Sequence, residues 1–233
     1  MRTIGLIGGM SWESSAEYYR ILNQAASARL GPLRSAQILM YSVDFGPIER
    51  AQHEGRWGDA ADILQDAARR LHAGGADCIV LCTNTMHKVA HETARGVPIP
   101  FLHIGDPVGR ACVDHGWRDV GLLGTGFTMR EPFLIDYMRE HFDVRMMVPS
   151  GPECELVHRV IYEELCAGIV NEASRRAYVQ IIDALAQRGA SAIVLGCTEI
   201  ELLITQADSP LPVLDTTQLH AMAALEFALG ERV

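Results

Sequence analysis

Short, continuous runs of aliphatic and β-branched residues recur along this chain, separated by longer stretches whose apolar residues return every three or four positions. Runs of the first kind read as buried parallel strands and stretches of the second kind as amphipathic helices. Arg2 to Gly9 predicts a first strand, closing in Gly8-Gly9-Met10 and followed by Ser11 to Ser15 and a helix from about Ala16 to Arg29. Gln37 to Phe45 predicts a second strand, and the polar segment 46–57 an irregular loop. Asp59 to Ala73 reads as a helix stopped at Gly74-Gly75. Ala76 to Leu81 is a strand capped by Cys82-Thr83-Asn84-Thr85, then a helix runs from Met86 to about Thr93. Pro100 to Ile104 is a strand closed by Gly105-Asp106-Pro107, and Val108 to His115 a helix.

The pattern then restarts. Asp119-Val120-Gly121-Leu122-Leu123-Gly124-Thr125 echoes Thr3-Ile4-Gly5-Leu6-Ile7-Gly8-Gly9. A helix over Thr128 to Phe142, a strand over Val144 to Val148 and helices over Glu153 to Ala167 and Glu172 to Arg188 follow. Ala190 to Leu195 matches the strand before Cys82, and it leads through Gly196 to Cys197-Thr198-Glu199. Glu199 to Ile204 is a short helix, Pro212 to Asp215 echoes the strand before Asp106, and Thr216 to Leu229 is the last helix. At an offset of about 115 residues, Gly5 corresponds to Gly121 and Cys82 to Cys197. Alternating strands and helices imply a parallel sheet in each half. The expected fold is α/β: two pseudo-symmetric, Rossmann-like (flavodoxin-like) domains with the active site in a cleft between them. The expected boundaries are 1–104 plus 216–233 for the first domain, completed by the C-terminal helix, and 105–215 for the second.

Composition narrows the function classes. The 233 residues, 48% hydrophobic and 21% charged, are ordinary for a globular protein. A net charge of −9 argues against a nucleic-acid surface. No apolar run approaches the roughly 20 residues of a membrane span. The chain enters a strand at Thr3 with no signal-peptide pattern, so a cytoplasmic location with mostly reduced thiols is expected for its six cysteines. With no Cys-x-x-Cys pair and no tight Cys/His cluster, a zinc site has little support.

The candidate chemistry sits at strand ends, where open α/β sheets bind ligands. Gly5-x-x-Gly8-Gly9 is not a dinucleotide fingerprint, and a small anionic ligand such as a carboxylate fits the serines and the helix start better. Cys82 and Cys197 each end a buried strand and each precede a threonine. Inverting a carbon centre calls for one group that removes a proton and a second that delivers one to the other face. A thiol suits both tasks, because its ordinary pKa lies near neutrality and a following helix start favours the thiolate. Thr83, Asn84, Thr198 and nearby amides are placed to hold a substrate carboxylate, with Thr85 and Thr125 as further donors. Cys78, Cys112, Cys154 and Cys166 read as small buried hydrophobes. His87 reads as a packing residue, with acid/base work the alternative. Glu199 either raises or orients Cys197 or caps the short helix; Asp44, Asp106 and Asp215 read as helix caps.

At Gly8-Gly9-Met10-Ser11-Trp12-Glu13-Ser14, Ser42-Val43-Asp44-Phe45, Cys82 to Lys88 and Gly196 to Ile200 the chain resembles the aspartate/glutamate racemase family. The likeness spans essentially the whole chain and lies nearest the enterobacterial broad-specificity and L-aspartate/glutamate-specific members. The glutamate racemases of cell-wall synthesis carry Asp-Ser-Gly where this chain has Gly8-Gly9-Met10. The resemblance implies a two-base amino-acid racemase that uses neither pyridoxal phosphate nor a metal, acts on aspartate, glutamate or a wider set, and is usually a homodimer. It implies Cys82 and Cys197 as proton donor and acceptor. It implies a pocket lined by Met10, Gln52, Thr83, Asn84, Thr85, Thr125, Thr198 and Glu199. Aspartate-specific members carry a basic residue near Gly168, where this chain has Cys166-Ala167, so Arg50 or another cation would hold an acidic side chain. Hydantoin racemases, maleate isomerases and arylmalonate decarboxylases are related alternatives. A binding protein that captures a small carboxylate without turnover leaves the two thiols without purpose.

Overall fold

The computed structural model describes residues 1–231, so residues 232 and 233 of the segment assigned to the first domain lie outside the described residues. The chain divides into two compact units, Met1–Ile104 with the chain from Thr217 on, and Gly105–Thr216. The first holds β1 (Ile4–Gly8), α1 (Trp12–Leu30), β2 (Ile38–Ser42), α2 (Phe45–His53), α3 (Trp57–Ala73) and β3 (Cys78–Leu81). A 3₁₀ turn (Thr85–Val89), α4 (Ala90–Ala94) and β4 (Phe101–Leu102) follow. All strands are parallel, in the order β2-β1-β3-β4.

The second unit holds α5 (Gly105–Asp114), β5 (Asp119–Gly124), α6 (Gly126–Arg130), α7 (Pro132–Phe142), β6 (Arg145–Met147) and α8 (Gly151–Glu163). After a 3₁₀ turn (Leu165–Ala167) come α9 (Glu172–Gln187), β7 (Ile193–Gly196), 3₁₀ turns at Thr198–Leu202 and Gln206–Asp208, and β8 (Val213–Asp215). Then α10 (Thr216–Leu229) rejoins the first unit from Thr217. Its sheet is also parallel, ordered β6-β5-β7-β8, so the two units repeat one topology. No helix among the described residues is long and apolar enough to cross a membrane.

Each strand sends alternate side chains to opposite layers. In the first unit Ile7, Ile79 and Leu81 pack with Ile48 of α2 and Leu64, Ala67, Ala68 and Leu71 of α3. Ile4, Leu6, Cys78, Val80 and Cys82 pack with Tyr18, Ile21 and Leu22 of α1 and Ala221, Ala224 and Leu225 of α10. Gly5 lets the α3 end of its layer approach closely, since a Cβ there would lie 2.7 Å from Cys78 O and 2.8 Å from Ala76 Cβ. Gly121 has the same task, with Ile193 Cδ1 2.8 Å and Leu185 Cδ1 3.0 Å from where its Cβ would stand.

Several elements differ from the sequence-based expectation. Segment 46–57 is not a loop: α2 fills it to His53, because Asp44 caps it by accepting from Gly46 N at 3.1 Å and because Ile48, Ala51 and Gln52 bury one face. Pro47 falls in the first turn, where proline costs no helical bond. Helix α1 begins at Trp12 rather than near Ala16, with Ser11 accepting from Ser14 N at 3.2 Å. The stretch 128–142 is two helices, because Pro132 pushes Glu131 out of the helical region to φ −91, ψ 145. Asp106 caps nothing as a strand end; it lies in the first turn of α5 and accepts from the Tyr137 hydroxyl. The helix expected over 86–93 is a 3₁₀ turn (Thr85–Val89) leading into α4 (Ala90–Ala94), and the one expected over 199–204 is a 3₁₀ turn over Thr198–Leu202.

Candidate active site

In each unit the central two strands run side by side and finish together, and the candidate residues follow at those ends. In the first unit Cys82 N donates to Ile7 O at 3.0 Å, which carries the ladder one residue past β3. Cys82 therefore keeps the alternation of Cys78 and Val80, and its thiol is fully buried in the layer of α1 and α10. Burial pushes this thiol far above its ordinary pKa. Thr83 N then bonds Leu81 O at 2.8 Å, and His87 N bonds Asn84 O at 3.0 Å, folding the loop into the 3₁₀ turn with Asn84 and Thr85 buried.

Helix α2 brings Gln52 to the same loop, its Nε2 2.8 Å from Met86 Sδ. Met10 and Met86 belong to one apolar cluster with Ile48 and Ala51. Gln52 is buried, and its Oε1 accepts no hydrogen bond among the described residues. An orphaned buried carbonyl costs about 1–3 kcal/mol. A ligand donor would remove that cost. Arg50 stands on the exposed side of α2, and no ion pair joins it to another described residue. Lys88, the chain's single lysine, holds its Nζ 3.8 Å from the Trp57 ring centroid, which pins the turn to the start of α3.

In the second unit Gly121 sits opposite Ile193 as Gly5 sits opposite Ile79. Leu195 thus answers to Leu81, and Gly196 rather than Cys197 answers to Cys82. The expected residue-for-residue match of the cysteines is off by one, because the second strand end carries an extra glycine. That step takes Cys197 out of the strand alternation. Its thiol is half-buried, in extended backbone (φ −156, ψ 130), and donates to Glu199 Oε2 at 2.9 Å. Burial first, then the Glu199 charge, raise the Cys197 thiol well above its ordinary pKa. Glu199 thus contacts the thiol directly from the first turn of the following 3₁₀ segment. Thr198 is buried at the start of the next turn. Thr125, at the end of β5, caps α6 by accepting from Thr128 N at 3.3 Å.

Three further residues stand near Cys197, one of them, Cys166, against expectation and two, Tyr178 and Thr216, not foreseen as its neighbours. Cys166 is exposed, not a buried hydrophobe. Its turn packs on Thr198–Leu202, and an ionised Cys166 would push the Cys197 thiol up further. Tyr178, buried and bonded to Val157 O at 3.0 Å, is raised by burial first and also by Cys197. Thr216 Oγ1 donates to Leu195 O at 2.9 Å. None carries a motif, since each meets the site only through packing. His87 is buried with both ring nitrogens bonded to backbone groups, as a packing residue would be, and burial holds its pKa well below the ordinary value. Among the described residues no group of three or more His, Cys, Asp or Glu side chains is arranged to hold a metal ion.

The sequence profile of the family described as Asp/Glu/Hydantoin racemase matches residues 7–224. The chain is 22% identical over 172 residues to the broad-specificity amino-acid racemase RacX of Bacillus subtilis, covering 71% of this chain and 70% of that one. A Yersinia pestis crystal structure, provisionally described as an Asp/Glu racemase, is 47% identical with a TM-score of 0.93, covering 98% of this chain and 100% of that one. The structure of an aspartate racemase homologue from Pyrococcus horikoshii OT3 is 32% identical with a TM-score of 0.87, over 98% and 100% of the two chains.

Proposed function

The chain belongs to the Asp/Glu/hydantoin racemase family and is an enzyme of the racemase kind, and from that premise we propose that it inverts the α-carbon of a free amino acid, with two thiols as its bases and no cofactor. The observation that carries this reading is the 2.9 Å contact from Cys197 Sγ to Glu199 Oε2. A thiol held protonated by burial needs a partner to take its proton, and Glu199 stands where one is required.

The steps balance as proton transfers alone. Cys197 passes its proton to Glu199 and becomes a thiolate. The thiolate removes the α-proton from one face, and the electron pair moves into the substrate carboxylate. Thr83, Asn84, Thr85, Thr125 and Thr198 supply hydrogen-bond donors to that enolate-like state. The Cys82 thiol then delivers its proton to the opposite face and is left as thiolate. The other enantiomer runs the same steps in reverse. Gln52 Oε1 accepts from the substrate ammonium, which gives its orphaned oxygen a partner. Met10 closes the apolar side, and Arg50 holds the side-chain carboxylate of aspartate or glutamate.

The test is a panel of L-aspartate, L-glutamate and neutral L-amino acids incubated without cofactor, with chiral chromatography reading the D-enantiomer. D-product from the two acidic substrates, lost in Arg50→Ala, supports an aspartate/glutamate racemase with Arg50 reading the side chain. D-product from neutral substrates as well supports the broad-specificity form and removes Arg50 from that role. Inversion of hydantoins with no turnover of any amino acid contradicts the reading.

A further inference from the structure

Three imidazoles meet in the first unit beside the Cys82 loop. The His87 ring centroid lies 4.6 Å from that of His103 and 5.8 Å from that of His220. His220, fully buried, bonds Leu102 O through Nε2 at 2.8 Å and the Tyr18 hydroxyl through Nδ1 at 2.8 Å. His87 bonds Thr83 O through Nδ1 at 2.8 Å, while its Nε2 accepts from Ile104 N at 3.1 Å. Strand β4 is short, entering with Pro100 O bonded to Ile79 N and pairing in register through Phe101 and Leu102, and at its exit these rings partner the backbone groups Leu102 O and Ile104 N.

The chemistry of the His87 bonds is one-directional. A backbone N–H can only donate, so Ile104 forces Nε2 to be the bare nitrogen and places the ring proton on Nδ1. Nδ1–H then donates to Thr83 O, one residue from Cys82 and one from Asn84. The ring joins the loop that carries Cys82 to the exit of β4 with both ends committed.

We propose that His87 is a positioning residue for racemisation, a neutral imidazole locked in its Nδ1–H tautomer that holds the Thr83 peptide and so sets the Cys82 thiol and the Thr83 and Asn84 donors. This rests on the reading of Cys82 as a proton-transfer group. Loop register is a sensitive quantity: a misplacement of about 1 Å at a reacting group costs on the order of 100-fold in rate.

The test compares His87→Gln with His87→Asn. Asparagine keeps an N–H near the Nδ1 position and needs no tautomer lock; glutamine keeps an acceptor near Nε2 and loses the Thr83 bond. The readout is turnover, and the primary isotope effect, with the amino acid that turns over best in the panel, supplied as its α-deuterated L- and D-forms. Expected are a loss of about 100-fold in kcat for His87→Gln, a rise in the isotope effect for one enantiomer only, and kcat within about threefold of the parent for His87→Asn. A one-sided rise is specific, because a smaller folded fraction lowers both directions alike. His87→Gln within about threefold of the parent, or isotope effects that move together, overturns the proposal. If His87→Gln does not fold, imidazole nitrogen NMR of the parent protein decides. A neutral Nδ1–H ring between about pH 5 and 8 upholds the proposal, and a titrating or Nε2–H ring overturns it. Cys82→Ser runs alongside. Retained racemisation there brings down the Cys82 reading itself, whereas loss there with a direction-blind His87→Gln brings down only the role of His87.

Discussion

Glu199 accepts from Cys197, while the Cys82 sulfur is enclosed by the apolar layer of α1 and α10 and approaches Val80 O at 3.9 Å. On the proposed two-thiol reading, Cys82 would rest as the acid and the Cys197–Glu199 pair as the base. Glu199→Gln removes the proton acceptor and keeps the shape. It is expected to lower kcat by about 100-fold or more with little change in KM; a rise in KM alone would contradict the assignment. Gln52 gives a second test. Gln52→Leu deletes a buried carbonyl that is orphaned in the unliganded protein, so melting should occur at the same or a higher temperature while KM rises about tenfold or more. A lower melting temperature with unchanged KM would mean that Gln52 serves the fold and not the ligand. The two cysteines and their threonines were legible as a repeated motif. The partners were not: the Thr83–His87–Ile104 bridge joins residues whose meeting depends on where β4 ends.

The elements with the strongest patterns, β1, β3, β5 and β7, stand where the apolar runs placed them, because strands buried on both faces leave little room for other readings. Helix α2 was hidden by its charge: Glu49, Arg50 and His53 crowd a short segment whose amphipathic face is only Ile48, Ala51 and Gln52. Its cap, Asp44, was legible as a strand-end acid that could cap a helix. The extra Gly196 was visible as a residue, but its consequence was not, since strand register decides which way a side chain points. Packing at Gly5 bears directly on stability. Gly5→Ala drives a Cβ to within 2.7 Å of Cys78 O, which is backbone and cannot step aside. A loss of about 1–3 kcal/mol in urea-monitored stability is expected; a neutral result would show that α3 and β3 are looser than described.

The whole molecule repeats one strand order in two units and gives each unit one candidate thiol, Cys82 in the first and Cys197 in the second. That duplication was legible from the echo of Gly5 in Gly121. Buried thiols also set the alkaline limit of the fold. Desolvation pushes Cys78 up to about 12 and Cys112 up to about 11. In the unfolded chain both ionise near their ordinary value, so there the unfolded state holds fewer protons and stability falls as pH rises. Unfolding free energy from urea titrations should decline below about pH 6.5, where the unfolded chain protonates His87 and the fold holds it neutral, stay flat between about pH 7 and 8.5, and decline again from there toward pH 11. Cys112→Ala should flatten part of that decline, and a pH-independent value across this window would contradict the burial of both thiols. Two bases acting on opposite faces of one carbon leave a signature in solvent deuterium uptake at early turnover. In deuterated water without cofactor, the inverted product should carry deuterium at Cα while recovered substrate retains its proton. Deuterium entering recovered substrate as fast as product would point to a single base, and no deuterium at Cα in any amino acid would contradict the account.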